Sequence, residues 1–277
     1  MNEIGLFLIH LFKDNFSFSS LNSARAALSF FLSHKLDIGS DVYISRLFRY
    51  FFKTRPSQPR YLVLWDVSKL LLFLKSWHPP AELSLRLLTL KTVTLVAVTS
   101  SDRAQTLNSI GIEHSSLTED AILFPIFTLL KGSKRNRPIR VVKCHKFSDP
   151  SLNVADYVAA YLNRTLQFRL RAVSLGLPKP RSLFLSYHTG KPVRTSTLSR
   201  YILTTMQLAG IDTQVFKAHS ARGTFPSLMK RKGASASTIM QQGDWRNCST
   251  FERFYSRESE DSVAGKLIRE VIGKSKN

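Results

Sequence analysis

Two consecutive prolines, Pro79 and Pro80, place the strongest local constraint on how this 277-residue chain can fold. Proline has no backbone N–H to donate, and it disfavours the helical conformation of the residue before it, so no helix can run through this segment. The chain is also long enough to form two cores of unequal size. We therefore expect two domains, with a linker at Trp77–Pro80.

The segment before the linker has the period of amphipathic helices. Apolar residues predict one helix near residues 4–12, a second to about Leu32 capped by Ser20, a third from Val42 to about Lys53, and a fourth from about Asp66 to Ser76. In the third helix, the predicted buried residues are Tyr43, Leu47, Tyr50 and Phe51. Its predicted exposed residues are Arg46, Arg49 and Lys53. Four short helices with basic faces suit a small domain that grips DNA.

Strands are predicted only beyond the linker. A helical pattern over residues 83–99 is followed by two strand patterns, Ala121–Leu130 and Ile139–Val142, with a hairpin turn over 131–138 between them. Pro125 predicts that the first of these is an edge strand or carries a bulge. Helices return from Asn153, interrupted by a short predicted strand at Leu183–Ser186. The expected fold is therefore mainly α-helical with a small antiparallel β-sheet.

The chain is strongly basic, with 40 Lys and Arg residues against 19 acidic ones and a formal charge of +21. These charges recur along the chain, which favours a nucleic acid as the partner over an anionic membrane. The most apolar stretch, residues 83–98, contains Arg86 and Lys91 and is too short to span a bilayer. Cys144 and Cys248 have no paired spacing, and no secretion signal is evident. We expect a soluble, intracellular protein.

The richest motifs are Lys217–Pro226 and Gly243–Tyr255. His219 and Arg222 are three residues apart, so on a helix they would share one face and bind one phosphate through charge-assisted hydrogen bonds. Taken alone, such a pair more often belongs to a solvated surface, and a tyrosine beside phenylalanines more often belongs to a core. The combination of the two motifs favours chemistry on a phosphate.

These motifs resemble the C-terminal signature of the tyrosine recombinases, and are most similar to those of DIRS-type retrotransposons. His-Ser-x-Arg at 219–222, Asp-Trp at 244–245 and Phe-x-x-Phe-Tyr at 251–255 carry the resemblance, together with Ser19–Phe31, Arg55-Pro56 and Trp65–Val67 upstream. The resemblance implies a catalytic domain with the DNA breaking-rejoining fold over residues 78–258. It also implies a helical, SAM-like core-binding clamp domain over 1–77 and an amphipathic tail over 259–277.

The resemblance also implies residue roles. Tyr255 would attack a phosphodiester, forming a 3′-phosphotyrosyl link and releasing a 5′-hydroxyl. Arg222 would neutralise the non-bridging oxygens, His219 would assist proton transfer, and Trp245 would donate its indole N–H to the phosphate. Arg103, which follows the helix at 83–99, matches the first arginine of the family.

The family lysine, which protonates the leaving 5′-oxygen, corresponds to Lys131 or Lys134. Lys131 fits the pattern better, and Lys134 remains the rival because one turn can present either ammonium. Arg194 and Arg200, near the start of a helix at Thr195–Leu208, are predicted to contact a DNA groove. The scattered histidines and the lack of a glycine-rich phosphate loop predict neither a metal nor a nucleotide cofactor.

Double-stranded DNA is the expected partner, and the resemblance implies a homo-tetramer on two DNA sites with dimers as an intermediate. The tail can dock on a neighbouring protomer or on its own domain. A mobile-element recombinase would work in the nucleus of a eukaryote, or in the cytoplasm otherwise. Two other interpretations stay open: a type IB topoisomerase, and a DNA-binding protein from a mobile element that no longer cuts.

Overall fold

The computed structural model describes residues 2–57, 60–131, 133, 135–136, 138–245 and 247–254. It divides into two compact units, Met1–Arg60 and Tyr61–Asn277. The first contains helices α1 (Asn2–Lys13), α2 (Phe18–Phe31) and α3 (Val42–Thr54). The second contains helices α4 (Val67–Lys75), α5 (Leu85–Ser100), α6 (Ala104–Asn108), α7 (Val154–Ser174), α8 (Thr195–Leu208), α9 (Ala221–Arg231), α10 (Ala236–Gln242) and α11 (Cys248–Phe254), with strands β1 (Ser116–Leu117), β2 (Ala121–Ile126) and β3 (Arg140–His145).

The division between the units lies before α4, whereas the paired prolines had suggested a boundary after it. Val67, Leu70 and Leu74 of α4 are fully buried in the core of the second unit. An amphipathic helix packs where its apolar face finds a partner. The fourth predicted helix therefore belongs to the second unit by packing, although it precedes the prolines in sequence.

The first unit is a three-helix bundle around one small core. Its buried residues come from all three helices and from the segment after α2: Ile4, Leu8, Leu21, Ile38, Ile44, Phe48 and Phe51. Asp41 caps α3 by accepting a hydrogen bond from the Ile44 N–H at 2.8 Å. Ser17 caps α2 in the same way, accepting from the Ser20 N–H at 3.1 Å. Ser20, the predicted cap, therefore lies inside the first turn of α2.

The inward face of α3 agrees with the prediction at Leu47 and Phe51, which pack in the core, and differs from it at the two tyrosines. Ile44, Phe48 and Phe51 are buried, whereas Tyr43 and Tyr50 are 46% and 57% exposed. These three apolar residues share one face at steps of four and three residues, and the tyrosines keep their hydroxyls in water. The predicted basic face is confirmed, because the side chains on it are exposed: Arg46, Arg49 and Lys53.

Helix α5 is the central helix of the second unit, and it packs against α7, α8, α9 and β3. Every residue from Leu88 to Ser100 is buried, including several polar ones. Thr89, Thr92 and Thr99 each donate a hydroxyl hydrogen bond to the carbonyl four residues earlier, at 2.6, 2.7 and 2.7 Å. Because these hydroxyls are satisfied within the helix, the helix can be buried on all sides.

The sheet is antiparallel with the strand order β1-β2-β3. Pro125 was expected to mark an edge strand or a bulge, but β2 is the middle strand and pairs with β3 in an unbroken register from Ala121 to Ile126. Its pairing with β1 is limited to Ile122 and Leu123 and does not reach Pro125. β2 therefore lies between two strands, but at Pro125 it has no partner on the side that faces β1. A proline fits there because it has no N–H to donate to a partner strand.

The strand predicted at Leu183–Ser186 does not form. Residues in and beside this segment make only isolated bridges, Gly111 with Ser182 and Leu185 with Pro192. Side chains of α7 bind the backbone instead: the Arg169 guanidinium donates to the carbonyls of Pro180, Ser182 and Leu183 at 2.6, 2.9 and 2.9 Å. Backbone groups of neighbouring loops complete the pairing, for example the Ile110 carbonyl, which accepts from the Leu183 N–H at 2.8 Å. The buried segment is therefore satisfied by side chains and by isolated backbone bonds, without a continuous strand partner.

Candidate active site

Arg103, the first predicted catalytic arginine, lies just beyond the C-terminal end of α5. Ser101 ends the helix in the left-handed conformation (φ 55°), and its N–H donates to the Ala97 carbonyl at 3.1 Å. The chain then places Asp102 in the interior and Arg103 at the start of α6, where Arg103 is half-buried. The position of Arg103 is thus fixed by a helix end rather than by a mobile loop.

Asp102 is bound by an arginine that the sequence did not single out. Arg140, the first residue of β3, donates from Nε to Asp102 Oδ1 at 3.1 Å and from Nη2 to Oδ2 at 2.9 Å. Burial raises the pKa of the Asp102 carboxyl, and the Arg140 guanidinium opposes that rise. The pair is a bidentate ion pair in which the carboxylate side chain is 1% exposed.

Arg222 lies at the centre of the site and is only 2% exposed. Its Nη2 donates to the Gly243 carbonyl at 2.5 Å, and its guanidinium carbon is 4.7 Å from the centroid of the Trp245 ring. His219 lies in the preceding 3₁₀ turn, Ala218–Ser220, and is exposed. This turn runs directly into α9, so His219 and Arg222 stay one helical turn apart, but Arg222 is buried whereas His219 is exposed.

The turn that carries His219 is anchored from outside the motif. The buried Trp65 indole N–H donates to Ser220 Oγ at 2.8 Å, and that hydroxyl donates to the Lys217 carbonyl at 2.8 Å. Thr224 Oγ1 in turn donates to the Ser220 carbonyl at 2.9 Å. Ser220 thus ties the turn to the segment just before α4.

Trp245 is a buried residue of a small separate cluster with Ile239 and Phe251, whose ring lies 5.1 Å from that of Trp245 in an edge-on arrangement. A side chain at Gly243 would collide with the Trp245 ring, so glycine is required there. Phe251 belongs to α11, which ends at Phe254. Tyr255 is the next residue and lies outside the described residues.

The β2–β3 loop carries Lys131, which is exposed; Lys134 lies outside the described residues. An open cavity of about 230 Å³ is lined both by this loop and by Asp244. Leu130 and Asp244, which directly precede Lys131 and Trp245 respectively, contribute to the lining. The cavity therefore brings the lysine-bearing loop beside the tryptophan-bearing turn.

A second basic region lies around the start of α8. Arg194, the cap residue of α8, and Arg200 are exposed and line a cavity of about 480 Å³ together with Arg86, His188 and Tyr187. The predicted pair is thus brought together with a third arginine that the sequence did not flag, because Arg86 looked only like an interruption in an apolar run. The basic residues of α3 belong to the first unit.

In the part of the chain that the structure describes, no group of three or more His, Cys, Asp or Glu side chains could hold a metal ion. Within the same residues, no helix combines the length and the apolar character needed to cross a membrane.

The model of the phage integrase family matches residues 66–261. No curated protein matches the sequence. The fold is similar to that of XerA recombinase, with 18% identity, a TM-score of 0.51 and coverage of 100% of this chain and 98% of that one.

Two other similar structures contain DNA. A lambda integrase dimer bound to a COC′ core site has 11% identity and a TM-score of 0.55, covering 94% of this chain and 81% of that one. The Tn1549 transposon integrase in complex with transposon right end DNA has 13% identity and a TM-score of 0.60, covering 98% and 85%. At these identities the structural matches establish the fold alone.

Proposed function

This chain belongs to the phage integrase family and has the fold of a tyrosine recombinase; on that premise we propose that it is a site-specific DNA recombinase that cuts with Tyr255. The contact between Arg222 and the Gly243–Trp245 turn carries the proposal. It joins the two motifs that were singled out in the sequence, and it buries a guanidinium beside the segment that leads to the tyrosine. A solvated-surface role for Arg222 does not fit a residue that is 2% exposed.

The proposed reaction is a transesterification. The phenolic oxygen of Tyr255 attacks the phosphorus, its proton leaves to a base, and the bond from phosphorus to the 5′-oxygen breaks. Arg103 and Arg222 bind the non-bridging oxygens, where negative charge grows, and His219 and Trp245 donate further hydrogen bonds. Lys131 gives a proton to the departing 5′-oxygen. Attack by a 5′-hydroxyl on the phosphotyrosine reverses these steps and rejoins a strand without an external energy source.

Double-stranded DNA is the proposed substrate, and two basic surfaces are proposed to hold it. The exposed side chains of Arg46, Arg49 and Lys53 on α3 lie in the proposed core-binding clamp, and Arg194 and Arg200 lie beside Arg86 at the start of α8. Lys134 is a further candidate for DNA contact in the β2–β3 loop. Contacts to the phosphates position the duplex, whereas groove contacts, which we propose for Arg194 and Arg200, read the sequence.

The biological setting is proposed to be the integration of a mobile element. A transposon integrase is among the similar structures, and the motifs resemble those of DIRS-type retrotransposons. A lambda integrase tetramer bound to a Holliday junction is also similar in fold, which supports a homo-tetramer as the working assembly. Residues 259–277 are proposed as the segment that links protomers. In a eukaryotic host, the enzyme would act in the nucleus.

The test is a duplex with a nick near the cleavage point, which traps the covalent intermediate. Wild-type protein should become attached to DNA, and Tyr255→Phe should bind the duplex with similar affinity but form no adduct. Binding without any adduct would instead indicate a DNA-binding protein that no longer cuts. Relaxation of supercoiled plasmid with no recombinant product would indicate a type IB topoisomerase.

The choice between the two lysines can be tested with a modified leaving group. A sulfur in place of the bridging 5′-oxygen needs no proton to depart, so it restores the rate of a variant that lacks the general acid. We expect Lys131→Ala to cut normal DNA slowly and the 5′-sulfur substrate at close to the wild-type rate. For Lys134→Ala, the cleavage rate relative to wild type should be the same on both substrates. The opposite pattern would assign the general acid to Lys134.

A further inference from the structure

Arg140 connects three segments, each of which carries a candidate catalytic residue. It begins β3, directly after the loop that carries Lys131, and it binds Asp102, the neighbour of Arg103. Its guanidinium also donates to two carbonyls at the end of α10: Nη1 to Gln241 at 3.0 Å and Nη2 to Gln242 at 2.8 Å. The turn with Trp245 follows immediately.

The end of α10 is held by Arg222, which is buried, and by Arg140, which is half-buried. The last carbonyls of a helix have no partner within it, and they carry partial negative charge that attracts cations. Here three successive carbonyls are bound, those of Gln241 and Gln242 by Arg140 and that of Gly243 by Arg222. The side-chain amide of Gln242 also donates to the Thr99 carbonyl at the end of α5. The C-terminal ends of α5 and α10 are thus joined twice, once through Arg140 and once through the Gln242 side chain.

The planar guanidinium suits this role better than any other side chain. It holds five N–H groups in a fixed geometry, so it can bind both carboxylate oxygens and two carbonyls together, whereas the ammonium of a lysine is a single point with three donors. The Arg140 side chain is 15% exposed and that of Asp102 1% exposed, so water competes little for the bonds between them. The bond to the Gln241 carbonyl lies at the surface. The link is therefore multivalent, and it is enclosed at its Asp102 end.

From this geometry we propose that Arg140, with Asp102 as its counterion, is a positioning residue for DNA cleavage. It fixes the turn that presents Trp245, and hence the start of α11, relative to the turn that carries Arg103. Arg140 itself need not touch the DNA. The inference rests on the proposed function, since it concerns the placement of the groups that act on the phosphate.

The kinetic test is single-turnover adduct formation on the nicked duplex, measured over a range of protein concentrations. Arg140→Gln should lower the maximal rate about 100-fold, the loss that a displacement of about 1 Å can cause, while the half-saturating concentration stays within about twofold of wild type. Arg181→Gln is the matched control. It removes the same charge from an arginine whose carboxylate partner, Glu113, is bound at the surface, with side chains 77% and 44% exposed. The control should match wild type in both constants.

Two conservative variants separate positioning from general stability. Arg140→Lys keeps a bond to Asp102 but cannot reach both carbonyls, so it should recover part of the maximal rate. Asp102→Asn should lower that rate too, and Asp102→Asn combined with Arg140→Gln should lose less than the product of the two single losses, because both changes break one link. If Arg140→Gln does not fold, wild-type rates in both Arg140→Lys and Asp102→Asn would overturn the inference.

Hydrogen exchange gives a readout that does not need cleavage. Arg140→Gln should speed amide exchange over residues 243–254, and Arg181→Gln should leave it unchanged. Wild-type protein that forms no adduct would refute the proposed function, while the exchange result would still decide whether Arg140 holds this segment. An adduct-forming wild type with an equally fast Arg140→Gln variant would refute the positioning role alone.

Discussion

Lys91 gives the sharpest prediction about what stabilises the second unit. Its side chain is fully buried in α5, and its ammonium donates to the carbonyls of Leu74, Trp77 and Ser151, each at 2.7 Å. The ammonium also lies 3.9 Å from the centroid of the Tyr157 ring. Burial lowers the pKa of Lys91 to about 7. One cation thus joins the end of α4, the linker and the segment before α7.

The expected cost of Lys91→Met follows from what each carbonyl retains. The Leu74 carbonyl still accepts from the Trp77 N–H, and the Trp77 carbonyl still accepts from the Tyr157 hydroxyl. The half-buried Ser151 carbonyl loses its bond from Lys91, which costs about 1 kcal/mol, the low end of the range for an acceptor left unpaired. The lost cation–π contact adds about 1–2 kcal/mol. Methionine fills similar volume and removes the cost of burying a charge. We expect a net destabilisation of about 2–3 kcal/mol.

Urea unfolding followed by tryptophan fluorescence measures this change. All three tryptophans, Trp65, Trp77 and Trp245, belong to the second unit, so the signal reports on that unit. The control is Lys69→Met, which removes a single bond to the Gly210 carbonyl from an exposed lysine. It should cost less than about 0.5 kcal/mol. Equal unfolding free energies for Lys91→Met and wild type would refute the reasoning, because the three bonds would then contribute nothing beyond the cost of burial.

Three further predictions concern the fold and the DNA surface. Gly190→Ala should lower the free energy of unfolding by about 2–3 kcal/mol, because φ is 67° and the new methyl group would meet the Phe168 ring. Gly176→Ala is the control: φ is 70° there too, but the space around it is open, so the cost should be only about 1 kcal/mol. Trp65→Phe should slow adduct formation without abolishing it, because it breaks the bond that anchors Ser220 beside His219; unchanged kinetics would contradict this. The third change replaces the three basic side chains of α3, Arg46, Arg49 and Lys53, with glutamine. The fall of log affinity with log salt concentration should become shallower by about 2–3 units. An unchanged slope would show that these side chains do not contact DNA.

The helices were predictable from sequence because their signals are local. The apolar period alone located α3 and α4 to within a residue or two, and the structure adds Asp41 and Asp66 as their caps. The predicted strand at 183–186 failed for the opposite reason. Its apolar run is buried as expected, but Arg169 and Tyr161 of α7 bind its backbone from outside. Nothing within the run itself indicates that side chains, and not a neighbouring strand, would take those hydrogen bonds.

The residues of the candidate site also fall into two groups, those that local motifs identify and those that only tertiary contacts identify. Arg222 and Trp245 were found from short motifs, and the structure places them in contact. Asp102 and Arg140 were missed because an aspartate after serines and an arginine at a strand start both look like solvated residues. Their partnership depends on tertiary structure, since β3 must pass the ends of α5 and α10. The sequence could therefore name side chains suited to a phosphate, while the residues that hold their supports together emerge only from the folded arrangement.

The same arrangement explains how Asp102, an acidic residue, can lie among side chains that are proposed to bind a phosphate. A carboxylate beside Arg222 would weaken the attraction for phosphate if its charge acted alone. Both oxygens of Asp102, however, are bound by Arg140, and the pair lies out of water. Arg140 offsets the charge of Asp102, so the charge of Arg222 stays available to a phosphate, although Asp244 lies close enough to raise the pKa of the Asp102 carboxyl as well. Asp102 therefore allows a second arginine to lie at the end of α10 without removing the charge that a phosphate would meet.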